Sequence, residues 1–180
     1  SPNSYVLTPD CHLTGGFAFY TWFKNQVSGA LAGDFVVTLG GYHPAFVPPA
    51  SYPNVPRLGF NWQVSDQITI NGDAYFALTP SSAMMGGALN ASFNAGNLRA
   101  WFNAYADFLI DWHPFYYTAS IGVSVGASYR LNLLFFTTTL SIEIGATLYL
   151  AGPPTHGNVY VDWYVISFSI PFGQQVTATP

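Results

Sequence analysis

From about Ile68 to Ile170 the chain alternates: apolar side chains occupy every second position, with Ser, Thr, Gly, Asn or a lone charge between them. Successive side chains of a β-strand point to opposite faces, so this period of two is a strand signature. Helical periodicity is hard to find anywhere in the sequence. Strands are expected over Gly16–Phe23, Asp34–Gly41, Leu58–Val64, Gln67–Leu78, Met84–Asn94, Leu98–Trp112, Phe115–Asn132, Phe135–Leu150 and Asn158–Ile170, about nine in all. The breaks carry turn chemistry, as in Pro80-Ser81-Ser82, Asn94-Ala95-Gly96-Asn97, His113-Pro114 and Gly152-Pro153-Pro154. Breaks this short force antiparallel neighbours. The expected fold is therefore a single all-β domain over 1–180. It is an antiparallel meander, rolled into a barrel or a strongly bent sheet, with irregular segments 24–33 and 43–56 as flaps.

The alternation also assigns faces. One face is oily, as in Phe102, Ala104, Ala106 and Phe108 on one strand and Ile121, Val123 and Val125 on the next. At about 25 cal/mol per Å² such a face dominates stability when it is covered. The coil segments are too short to hide it. It must close on itself, dock on a partner or face lipid.

Charge excludes several partners. Only 7% of the residues are charged, against about 25% in an ordinary soluble domain. The four basic residues, Lys24, Arg57, Arg99 and Arg130, are scattered, and the net charge is −4. Nucleic acid binding and polybasic attachment to anionic lipid both need clustered cations. The one cysteine, Cys11, excludes an internal disulfide and a Cys-rich zinc site. No run of about 18 apolar residues offers a transmembrane helix. The opening Ser-Pro-Asn-Ser reads as a processed or trimmed end, and the compartment, intracellular or secreted, stays open.

The other face is built mostly from small residues. The hairpin breaks give an approximate register. It aligns Tyr75, Gly86, Tyr105, Gly122, Gly145 and Trp163 in one row, and Asp73, Ala88, Asn103, Ser124 and Glu143 in the next, with Trp101 and Gly126 beside them. Mid-strand glycine marks a bend, a bulge or a close approach. One reading is that the glycines permit curvature while aromatic neighbours cover the bare backbone. The other is a slot for a flat aromatic ligand, anchored by a hydrogen bond to Glu143. The candidate binding residues are Glu143, Asn103, Ser124, Trp101, Tyr105, Trp163, Tyr75, Gly122 and Gly145. A buried Glu143 with no cation nearby would have a raised pKa.

Catalytic signatures are missing. His12, His43, His113 and His156 each sit in an expected turn or loop, without metal-ligand spacing, and no metal is expected. There is no G-x-S-x-G, P-loop or dinucleotide fingerprint. Asp107 and Asp111 share the small face as a pair of carboxylates, but with no partner placed to use them. "NAS" at Asn90 matches a glycosylation acceptor but falls mid-strand. Nothing assembles a nucleophile, base and oxyanion hole, so the chain reads as not an enzyme.

The stretches "GDFVVTLGGYHPAFVPP", "YPNVPRLGFNW", "AYFALTP", "AWFNAYADFLI", "GVSVGASYRLNLLF" and "GPPTHG" together resemble a domain family of unknown function found in large, β-rich bacterial and fungal proteins. The resemblance runs from about Gly33 to Gly173. It implies β structure and brings no catalytic residues. In length and composition the chain is also similar to the pink, indolone-carrying chromoproteins of mushroom fruiting bodies. That likeness implies carriage of an organic chromophore.

The expected function is non-catalytic binding of a small apolar or aromatic molecule, a pigment among the candidates. The alternative is a membrane-embedded β-barrel or a self-assembling structural sheet, in which case the partner is lipid or a further copy of the chain.

Overall fold

The computed structural model of the chain describes residues 8–27 and 29–173. The expected trimmed end, Ser1–Ser4, lies outside them. The described residues form eleven strands: β1 (Cys11–Thr14), β2 (Phe17–Thr21), β3 (Phe35–Leu39), β4 (Leu58–Gln63), β5 (Ile68–Leu78), β6 (Ser82–Ala95), β7 (Leu98–Trp112), β8 (Phe115–Asn132), β9 (Thr137–Gly152), β10 (His156–Trp163) and β11 (Ile166–Gly173). All pairings are antiparallel, in the order β1-β4-β5-β6-β7-β8-β9-β10-β11, with β3 joining β5 and β2 joining β3. The all-β meander is as expected. The sheet does not close into a barrel: β11 pairs only with β10, and among the described residues the outer edges stay open.

Two corrections to the strand count follow. Cys11–Thr14 forms a strand of its own against β4. The expected single strand Asn158–Ile170 is two strands, folded back at Tyr164-Val165, with Trp163 opposite Ile166. Tyr164 there has φ +52°, a left-handed conformation normally left to glycine at the first position of a two-residue turn.

Register confirms the separation of faces. One cross-sheet row runs through Leu89, Ala104, Val123, Ala146, Val161 and Phe168 and holds no polar side chain. This oily face is uncovered in the single chain: Ile121 is 49% exposed and Val125 51%. It continues onto β2, where Phe17 and Phe19 are also exposed.

The buried core lies on the opposite face, at the end of the sheet formed by β3, β5 and β6. The described residues of segments 24–33 and 43–56 are irregular, and the chain around them folds over that end. Val36 packs with Trp22 and Ala30, and Tyr75 with Ala77 and Met84, while Tyr42, Phe46 and Tyr52 close over both clusters. Trp22 stacks on Tyr52 with ring centroids 5.4 Å apart. The Tyr42 hydroxyl donates to the Pro53 carbonyl at 3.0 Å, and burial, with Tyr52 beside it, pushes its pKa up to about 12. On the inner face of this end the buried Thr38 hydroxyl donates to the Gly41 carbonyl at 2.7 Å.

Candidate functional site

A groove on the small-residue face has a volume of about 550 Å³ and runs across β7 to β10. Register supplies its floor. One row pairs Asn103 with Ser124, Gly145 and Asp162. The next pairs Tyr105 with Gly122, Thr147 and Tyr160. On the other side, Trp101 pairs with Gly126 and Gly126 with Glu143. Tyr164 closes this end, its backbone N–H donating to the Glu143 carbonyl at 3.2 Å.

Three glycines of this face differ in what lies above them. Gly122 is covered by the ring of Tyr105, which occupies the place of a side chain. Gly126 is covered in the same way by the indole of Trp101. A ring from the neighbouring strand thus protects bare backbone, which is the curvature-and-cover reading at those two positions. Gly145 is different. A β-carbon there would meet only the Val123 carbonyl at 3.5 Å and the Ser124 β-carbon at 3.7 Å, both ordinary contacts. Its surface is open to the groove.

The polar groups around that opening are hydrogen-bond acceptors and amphoteric groups. Asn103 Nδ2 donates to Ser124 Oγ at 3.3 Å. Glu143 is exposed rather than buried. Asp162 adds a second carboxylate, and Tyr105, Tyr160 and Tyr164 supply the aromatic walls; no basic residue lines the groove.

Six of the candidate residues therefore come together in this groove: Glu143, Asn103, Ser124, Tyr105, Gly122 and Gly145. Three do not. Trp101 lines a separate depression of about 300 Å³ with Asn71, Asn90 and Arg99, whose guanidinium lies 5.9 Å from an indole ring centroid. Tyr75 is buried under the 43–56 segment. Trp163 lies on the oily face, opposite Ile144, because the hairpin at Tyr164 fixes its parity. The expected rows also slip by one pair on either side of β7–β8. Gly86 faces Asp107 rather than Tyr105, and Gly145 rather than Glu143 faces Ser124.

Tyr160, Asp162, Tyr164 and Thr147 are groove residues that the sequence reading missed. A signal for the first three exists. Apolar residues run at odd positions through Val159, Val161 and Trp163, then at even positions through Ile166, Phe168 and Ile170. That change of phase marks a two-residue turn.

A second polar cluster sits beneath the 43–56 segment. The Tyr75 hydroxyl donates to Asp107 Oδ1 at 2.6 Å, and the Arg57 guanidinium lies 3.9 Å from the Tyr75 ring centroid. Burial, then the bond to Asp107, pushes the Tyr75 pKa far up. Burial lowers that of His43, with Asp107 opposing the shift and Arg57 adding to it. Arg57 also donates to the Gly40 carbonyl at 3.2 Å. Tyr75, Asp107 and Arg57 are thus engaged with one another or with backbone, and the His43 ring stands edge-on to Tyr75 with centroids 6.2 Å apart. Asp107 and Asp111 do not act as a pair: the first accepts from Tyr75 and the second from Ser82 Oγ at 2.5 Å. Among the described residues no three His, Cys, Asp or Glu side chains are grouped to hold a metal.

The family of unknown function DUF6603 matches residues 1–180, and the chain belongs to that family. Neither the curated proteins nor the solved structures compared with it give a match.

Proposed function

We propose that this member of a family without an established activity binds and carries a small, flat, aromatic molecule in the groove over Gly145, without transforming it. The observation that carries the reading is the bare floor at Gly145, set between tyrosine rings and two carboxylates. A planar ring lies flat on uncovered backbone and against Tyr105, Tyr160 and Tyr164 at low entropic cost. Glu143 and Asp162 accept hydrogen bonds, so the ligand carries N–H or O–H donors on its rim. The likeness to indolone-carrying chromoproteins makes a conjugated pigment with such a donor the first candidate.

Protein isolated from its native source is expected to show an absorption band beyond those of Trp and Tyr, together with a bound small molecule in the mass spectrum of an extract. Glu143→Gln keeps the shape of the side chain but removes the charge. It should weaken binding about tenfold to a hundredfold, the range of a charge-assisted hydrogen bond, or shift the band. Native protein with no bound mass and only Trp and Tyr absorption sinks the proposal.

A further inference from the structure

The oily face of β5 to β11 is the largest feature that the groove leaves unexplained. Every charged side chain of these strands projects from the other face: Asp73, Arg99, Asp107, Asp111, Arg130, Glu143 and Asp162 all fall in rows with the groove residues or their continuation. Strands lie about 4.8 Å apart and same-face residues about 6.8 Å apart, so seven strands and five rows cover roughly 800 Å². The largest apolar patch on an ordinary monomer is about 300–600 Å². A stable protein–protein interface needs about 800 Å² from each partner. The face meets that requirement alone.

We propose that this face is covered by the same face of a second copy, giving a two-fold, face-to-face β-sandwich. Three observations select that occupant. The patch has the area that a stable dimer needs. Its central row alternates large and small residues, Leu89, Ala104, Val123, Ala146 and Val161, so it offers ridges and hollows that mesh with their own image across a two-fold axis. It carries no charged side chain in these rows by which a different protein would be selected. Lipid fits less well. The open sheet edges would leave backbone groups unpaired in hydrocarbon, and a chain with four basic residues and net charge −4 has no basic rim for a headgroup surface. Stacked in this way, both grooves face outward, on opposite sides of the dimer.

Val123 lies on the middle strand and the middle row of the patch, next to the expected axis. Sedimentation equilibrium of the 180-residue chain should show a dimer. Val123→Glu should raise its dissociation constant by at least about a hundredfold, because two carboxylates would be buried against each other. Thr139→Glu, on the opposite face across from Arg130, should leave it unchanged. Because Val123→Glu also risks misfolding, Val123→Cys in a Cys11→Ser background provides a second test. Mild oxidation should link it into a covalent dimer, whereas Thr139→Cys in the same background should stay monomeric under denaturing electrophoresis. A monodisperse monomer at all concentrations overturns the proposal. So does growth into open-ended fibres, or flotation with phosphatidylcholine vesicles in place of dimerisation.

Discussion

Gly126 and Gly145 lie in neighbouring rows of one face, yet an added methyl group meets different surroundings at each. At Gly126 it would overlap the indole of Trp101, including Nε1 at 2.8 Å. The ring must lift, so Gly126→Ala should destabilise the fold by about 1–3 kcal/mol, as overpacking does. At Gly145 the nearest atoms stand at 3.5 and 3.7 Å. Gly145→Ala should be neutral or stabilise by up to about 1 kcal/mol, since glycine weakens a strand. The same methyl group raises the groove floor and should weaken ligand binding about tenfold. Urea denaturation of both variants and a ligand titration of the second separate the two roles. A Gly145→Ala protein that unfolds as readily as Gly126→Ala would show that both glycines serve curvature alone. The sequence showed both glycines and aromatics on adjacent strands. It did not show which ring covers which glycine, because a slip of one residue pair exchanges Glu143 for Gly145 opposite Ser124.

At the scale of elements, legibility follows the source of the constraint. The long strands β5 to β9 are fixed by their own alternation and by short turns, and the expected bounds all fall within two residues of those observed. Trp163 was misplaced because one break lacks Gly and Pro: Tyr164 takes the left-handed position itself. The 43–56 segment was legible as an irregular flap, but that it covers Tyr75 and Met84 was not, since those contacts are long-range. That segment has a testable pH signature. Burial holds the His43 pKa below its ordinary value of 6.5. The unfolded chain then takes up the proton first, so this contribution is intact above about 6.5 and is lost as pH falls through and below that value. Protonation also removes the acceptor that His43 Nδ1 offers the Ala45 N–H at 3.0 Å. Wild-type stability should fall between neutral pH and about pH 5 more steeply than that of His43→Gln. Equal slopes in thermal melts would show that His43 titrates without coupling to the fold.

For the whole molecule the question is how an open sheet stays folded. The buried hydrophobic residues are few, and several of them gather under the 43–56 segment at one end, among them Val36, Ala77 and Met84. The larger apolar surface lies on the other side and contributes only when something covers it. Half of the amphipathic pattern was therefore legible in the sequence: an oily face that must be buried. What buries it was not, because a period of two is the same in a barrel, a sandwich and a dimer. A dimer ties stability to concentration by mass action, since association favours the folded chain over the unfolded one. The thermal midpoint of the wild-type chain should rise with protein concentration, by several degrees over a hundredfold range. That of Val123→Glu should be lower and independent of concentration. Its freed oily face should bind an apolar dye such as ANS while the far-ultraviolet spectrum still reports strands. If the wild-type midpoint is flat and the wild-type chain binds the dye as strongly as the variant, the sheet stands alone with its face bare. Its stability would then have to come from the long ladders of β6 to β9 and the loop-covered end.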